Sequence, residues 1–389
     1  MNGSTSRRYD LDALRVLAVL LLIPFHSARV FDSFETFYVK NGQTSEGLSW
    51  AVIQFLNPWH MPLLFVLAGA ATWLALRHRS AGQYRAERAK RLLVPFLFGI
   101  AVIVPPQAFL ALLHRGRDVS VGGFLADYWT VEGDLSGYTG SWTPAHLWFI
   151  GFLFIFSLVA LPLFRRLRDR TVGARWLLFA MPVILLLTND LPSPKDDAQN
   201  PFYGLALFVA GYLLMADPRA EGLIHRHWKV LFAGAAVSMS AAMTMWVDGV
   251  ESRLADGSLA EAGFALFEQV NAWVWVLALL GAGQTFLRRP IRGLVYASEA
   301  SYPAYLLHQT VIIAVAFFVV DLNLGLWPKY TLVAVLSLSL TLVLYELAVR
   351  RLNVTRFLFG MKPLRRGPVT PTDVSGELSI ERESAHLVR

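Results

Sequence analysis

Arg15 and His26 stand eleven residues apart in the apolar run LRVLAVLLLIPFHSARV, residues 14–30. On an ideal helix that spacing is a rise of about 16.5 Å and a rotation about 20° beyond three full turns, so the two share a face. Ionisable side chains in hydrocarbon are costly and commonly mark a site or a water-filled path. A guanidinium presents a fork of donors suited to phosphate, and a neutral imidazole can take a proton near neutral pH. The pair reads as an anion grip at the boundary of a span with a base deeper inside. Asp12, three residues before Arg15, is within pairing reach and would fix the guanidinium rather than act as an acid. Pro24 frees the carbonyl of Leu20 just where His26 is presented. The plainer reading has Arg15 snorkelling to headgroups and His26 as a satisfied core group.

Other residue groups carry the same two kinds of chemistry. Arg88 and Arg91, in YRAERAKRLLVPF, sit three apart on neighbouring helical positions. They read either as positive-inside anchors or as a phosphate grip. In SYPAYLLH, Tyr302, Tyr305 and His308 fall nearly on one helical face, as a packed polar seam or as part of a site. His146 precedes the aromatic run HLWFI at the outer boundary, where it could meet a sugar, and Trp148 belongs to an interfacial aromatic belt or contacts an acceptor. Glu346 is a carboxylate that folding could bring to His26. His60, in NPWHMP, reads as a boundary residue and stays outside the catalytic set. Tyr138 and Trp142 lie in the long segment 114–145, and a loop of that length is often functional.

Positioning these groups requires membrane helices. Of 389 residues 55% are hydrophobic and 16% charged, against about 25% charged in a soluble domain. Apolar runs near the roughly 20 residues of a crossing fall at about 11–30, 51–76, 92–113, 146–164, 176–190, 201–216, 230–247, 264–286, 302–320 and 331–349. The expected fold is therefore all-α, a polytopic membrane bundle of about ten transmembrane helices. Basic residues cluster in alternate connections, including RR at 7–8, the segment 77–91 and RRLRDRTVGAR at 165–175, which predicts both termini in the cytoplasm. The net charge of +7 is then mainly a topology signal, and no nucleic-acid partner is expected. The N-terminal run lacks a small-residue cleavage site and is expected to be retained. The chain has no cysteine, which removes thiolate chemistry and disulfides. Residues 1–367 read as one integral-membrane domain and 368–389 as a disordered cytoplasmic tail.

Together these stretches resemble the integral-membrane acyltransferase-3 family: YDLDALRVLAVLLLIPFH with its Arg15 and His26, HMPLLFVLAGAA, ERAKRLLVPF, AHLWFI and ASYPAYLLH. Within that family the likeness is to the glucan biosynthesis protein C branch, through IPFH, SWTPAHLWFI and LYELAVRRLNVTRFLFGMKP. The resemblance implies an enzyme of a bacterial inner membrane. It would transfer an acyl group from cytoplasmic acyl-CoA, acetyl-CoA or succinyl-CoA, to a carbohydrate hydroxyl, in this branch a periplasmic glucan. His26 would be the general base, and Arg15, Arg88 and Arg91 would bind the donor. Asp12, His146, Trp148, Tyr305, His308 and Glu346 would support the site or face the acceptor. Membrane lipids surround the protein in this reading, acyl-CoA is a co-substrate, and no tightly bound cofactor or metal is expected. A multi-span transporter of a small polar or anionic solute is the competing class, since broken helices with buried ionisable groups suit one.

Overall fold

The computed structural model describes residues 7–34, 36–131, 136–168, 173–193 and 199–364, and among these every regular element is helical. The polar stretch from 368 lies outside the described residues. In chain order the helices are α1 (Tyr9–Arg29), α2 (Glu46–Leu76), α3 (Ala81–His114), α4 (Val121–Asp127), α5 (Ala145–Val159), α6 (Leu161–Leu167) and α7 (Leu177–Asn189). They continue with α8 (Pro201–Ala216), α9 (Pro218–Arg226), α10 (Trp228–Val247), α11 (Leu259–Phe286), α12 (Leu294–Val319), α13 (Leu326–Val349) and α14 (Asn353–Leu358). Seven of these, α1, α2, α3, α10, α11, α12 and α13, are long and apolar enough to cross a membrane. The bent pairs α5–α6, at 51°, and α8–α9, at 94°, bring the number to nine. The remaining apolar helix, α7, has 13 residues, about 20 Å against a hydrocarbon core of about 30 Å.

Each of the ten apolar runs therefore forms a helix, and the irregularities have local causes. Asp217 ends α8 and caps α9 by accepting from the Arg219 N–H, with Pro218 at the first helical position, so the chain turns sharply there. Asn200 and Ser258 cap α8 and α11 in the same way. Four π-helical turns interrupt α2, α3 and α13, at Ser49–Gln54, Ala89–Leu93, Gly99–Ile103 and Tyr345–Val349. Such turns are rare and often mark functional positions.

Packing follows membrane rules. Large apolar side chains such as Phe179, Val237 and Phe318 point outward, where a soluble protein would place charge. Between helices lipid offers no hydrophobic drive, so close approach of small residues carries the association. At the α2–α8 crossing a methyl built on Gly69 would land on the Phe208 carbonyl, and one on Gly211 would land on the Val66 carbonyl. The two backbones touch there. The main core runs through Leu14, Ala18, Leu63, Phe65, Phe208, Trp273 and Leu306. A second core, built on Ile23, Phe31, Tyr38, Ile312 and Val333, draws the segment after α1 into the bundle.

Contacts fix the directions of the helices. His60 of α2 reaches the Ala18 carbonyl, while Ala70, further along α2, meets Leu11 near the start of α1, so these two run antiparallel. Arg15 meets Ser298 and His26 meets His308, so α1 and α12 run parallel. An odd number of crossings must separate two parallel spans. With α2, α3, α5–α6, α10 and α11 crossing, α7 and α8 cross together or not at all.

Candidate active site

The parallel pair α1 and α12 acts as a ruler with two marked levels. At the first, Arg15 donates from Nη2 to the Ser298 hydroxyl at 2.7 Å and to Asp12 Oδ1 at 2.9 Å. Asp12 also receives Arg7 at 2.7 Å, which makes it an orienting anion held between two cations. At the second level the rings of His26 and His308 have centroids 5.1 Å apart. The residue separations agree: eleven along α1 and ten along α12, about 15–16.5 Å each. The Arg15 level and the imidazoles are thus about half a bilayer apart.

A third imidazole completes the deep level. His146, 7% exposed, lies with its ring centroid 5.0 Å from that of His308. Sequence placed it at the outer boundary. The structure places it inside, because the first turn of α5 folds inward from the preceding segment. Ala145 has φ +43°, the only positive φ at a non-glycine among the described residues. Thr143 Oγ1 accepts the Ala145 N–H at 2.8 Å and holds that turn. Left-handed backbone at a residue with a Cβ is costly and clusters at functional sites. The Tyr305 hydroxyl donates to the His146 carbonyl, fastening the same turn to α12.

Hydrogen bonding decides what two of the imidazoles present. A carbonyl oxygen only accepts, so a ring nitrogen bonded to one carries the proton. His146 Nε2 meets the Leu306 carbonyl at 3.0 Å and His308 Nδ1 meets the Tyr305 carbonyl at 2.6 Å. Their other nitrogens, His146 Nδ1 and His308 Nε2, therefore carry lone pairs, and both are buried without a hydrogen-bond partner. His26 Nδ1 is likewise buried and unpartnered. The three imidazoles thus gather unpartnered ring nitrogens, at least two of which can accept hydrogen bonds from hydroxyl groups. The rotation of α12 that aims His308 is set by its neighbours: Gln309 Nε2 donates to Gln107 Oε1 at 3.0 Å and Gln107 Nε2 to Thr310 Oγ1 at 2.7 Å. Among the described residues no group of three His, Cys, Asp or Glu is arranged to hold a metal ion.

Phe37 stacks on His26 at 6.3 Å on the side away from Arg15, and Tyr138 packs edge-on to Phe37 and Tyr38 at 6.1 and 4.8 Å. The long segment 114–145 thus contributes to a roof over the imidazoles, and it contains α4 rather than being wholly irregular. Beyond it Asp32, fully buried, lies 3.3 Å from Arg29 and 3.4 Å from Lys40.

On the Arg15 side, Arg88 lies over the Tyr84 ring at 4.7 Å, and Arg91 pairs with Glu87 at 3.2 Å. The π turn Ala89–Leu93 begins between the two. Arg15, Arg79 and Arg88 lie within electrostatic range of Arg91, and Arg88 and Arg91 within electrostatic range of the Tyr302 hydroxyl. That hydroxyl is buried and unpartnered. Tyr302 is six residues, about 9 Å, before His308 on α12. Behind it Gly360, at φ +67°, brings the chain following α14 against Arg91 and Tyr302 so closely that a Cβ would meet both.

Two candidates fall elsewhere. Glu346 is bound by Arg350 at 3.0 and 3.2 Å, and Arg350 in turn lies over the Tyr296 ring at 5.3 Å. Tyr296 is twelve residues, about 18 Å, from His308 along α12, so Glu346 belongs to the arginine end and does not orient His26. Trp148 packs edge-on to Phe149 and Phe152 at 6.2 and 5.5 Å, within an aromatic cluster rather than against the imidazoles. Sequence reading missed Phe37, Gln107 and Arg79, whereas Tyr302 stood out there beside Tyr305 and His308. Only the polar Gln107 and Gln309, both inside apolar runs, offered a signal.

The model of the acyltransferase domain (Acyl_transf_3) matches residues 8–346, nearly the whole described chain. Glucans biosynthesis protein C of Escherichia coli (strain K12) is 22% identical over 381 residues, covering 92% of this chain and 95% of its own length. The same protein from Escherichia coli (strain SMS-3-5 / SECEC) and from Escherichia coli O157:H7 is similar to the same extent. No solved structure matches.

Proposed function

Because this chain belongs to the acyltransferase-3 family, we propose that it moves an acetyl or succinyl group from cytoplasmic acyl-CoA to a carbohydrate hydroxyl, with a periplasmic glucan as the leading acceptor. The glucan choice rests on the relatives named Glucans biosynthesis protein C. The observation that carries the reading is the pair of levels on α1 and α12. Cations that suit an anionic donor stand at one, and three buried imidazoles with bare nitrogens stand at the other.

In this reading the arginine-rich end faces the cytoplasm, as the positive-inside rule requires. The donor's thioester passes Arg15, Arg88, Arg91 and Tyr302 to reach the imidazoles. The acceptor arrives from the Phe37 and Tyr138 side. The attacking hydroxyl donates its one proton to His26, which takes it while the oxygen attacks the thioester carbonyl. The C–O bond forms, the tetrahedral oxyanion collapses, and the C–S bond breaks. The thiolate of CoA leaves and recovers the proton from His26. His146 and His308, each locked by a carbonyl in its acceptor tautomer, accept from neighbouring hydroxyls of the sugar and so position it. Enclosing helices limit hydrolysis by bulk water.

The test is release of free CoA thiol by detergent-purified protein given acetyl-CoA or succinyl-CoA, with and without glucan, and with His26→Ala as control. Acceptor-dependent release that disappears in the variant is the expected result. No release with either donor from folded protein would transfer the site to the transporter class, with the imidazoles lining a solute path.

A further inference from the structure

A concavity lies apart from the imidazoles. It is a pocket of about 210 Å³ lined by Arg79, Arg165 and Arg168 over a floor of Leu76, Ala81 and Phe164. The second helix of the α5–α6 bend and the α2–α3 connection build it, so residues about ninety apart in sequence supply one wall each. Its charge is poorly balanced. Arg79 shares Glu87 with Arg91, at 2.9 and 3.2 Å. Arg168 donates only to the Arg77 carbonyl, at 3.2 Å, and Arg165 has no ion pair among the described residues. Among the described residues no carboxylate lines the pocket.

Positive-inside anchoring explains arginines spread along a connection. It does not explain their convergence on one concavity with an apolar floor. Guanidiniums pair bidentately with phosphate, while the floor suits a ring attached to that phosphate. A volume below the roughly 300 Å³ of a whole small-molecule site implies that part of a ligand is held. Glu87, bridging Arg79 and Arg91, joins the pocket directly to the row of Arg91, Arg88 and Tyr302 that leads toward the imidazoles.

We propose that the Arg79, Arg165 and Arg168 pocket is a phosphate site that holds the nucleotide end of the acyl donor, while Arg88 and Arg91 guide its arm. This rests on the acyl-CoA reading above. Phosphate chemistry at this face could equally come from an anionic lipid headgroup, and the experiment separates the two.

Arg165→Gln and Arg168→Gln, both exposed positions, are compared with the parent protein in three assays. The first is direct calorimetric binding of adenosine 3′,5′-bisphosphate, which needs no turnover. The second is the KM for acyl-CoA set against the KM for the matching acyl-pantetheine, which lacks the nucleotide. The third is the dependence of thermal stability on anionic lipid in nanodiscs. The expected result is nucleotide binding weakened about tenfold by each substitution, the loss of a charged hydrogen bond. KM for acyl-CoA should rise similarly, and KM for acyl-pantetheine should stay within twofold. Arg165→Lys should recover part of the loss. Nucleotide binding and KM both unchanged, with turnover intact, would overturn the pocket and leave the reaction standing. Loss of lipid dependence alone would reassign the pocket to a headgroup. Nucleotide binding that needs Arg165, in a protein that never releases CoA, would keep the site and sink the reaction.

Discussion

At the scale of single residues, the bare nitrogens at the deep level make separable demands. His26→Ala should lower kcat for acyl transfer by about 10²–10⁴, the usual worth of a general base. Equal rates for parent and variant, in protein shown to be folded, would remove His26 from the chemistry. His308→Gln keeps a polar side chain but loses the fixed lone pair at Nε2. It should raise KM for the acceptor more than for the donor, because the bare nitrogen meets a hydroxyl of the sugar and not the thioester. The reverse ordering would put His308 on the donor side. Charge-removing changes at Arg88 and Arg91 should weaken acyl-CoA binding without changing which acceptor is preferred; a changed acceptor preference would move the donor site elsewhere. His26 and His308 were legible in the sequence because an imidazole within an apolar run is conspicuous. His146 was equally visible but misplaced, since its position depends on the left-handed turn at Ala145, and nothing about an alanine announces positive φ. Tautomers were out of reach altogether, because they are set by carbonyls of other turns.

At the scale of elements, hydropathy found every long helix, because each must present about 20 apolar residues to lipid. It could not see bends or π turns, which change direction without changing composition. The 94° turn at Asp217 needed the Asx cap as well as Pro218 to be read. The close α2–α8 crossing was hidden for a related reason, since glycine within an apolar run signals either a break or a contact. Its tightness yields a prediction. Gly211→Leu cannot be relieved by a rotamer change, because the obstacle is the Val66 backbone. The helices must part, at an overpacking cost of about 1–3 kcal/mol or more. Thermal unfolding in detergent should fall by several degrees, while Gly222→Leu, where nothing lies near the Cβ, should leave it unchanged. A tolerated Gly211→Leu would mean that this crossing is looser than described.

At the scale of the whole molecule, the sided distribution of charge and the parity of the helices make one joint claim. For the proposed reaction the arginine-rich end, with Arg15, Arg79, Arg88 and Arg91, has to face the cytoplasm, and α7 and α8 cross together or not at all. The absence of cysteine makes both testable, because any thiol introduced is the only one present. Single cysteines at Ser80 and Gly222 should react with an impermeant maleimide only after the membrane is opened. Cysteines at Arg117 and Asp256 should react in intact cells. The opposite pattern would place the guanidiniums away from the donor and remove the basis for acyl-CoA entry, whatever the imidazoles do. The pair Gly173→Cys and Asp190→Cys flanks α7. Opposite labelling of the two establishes its crossing despite a length of about 20 Å, which a bilayer can meet by local thinning. Identical labelling would leave α7 and α8 as inserted helices and reduce the spans to eight, but α1 and α12 would remain parallel. The arginine and imidazole levels would keep their separation, because that depends on the contacts between those two helices alone.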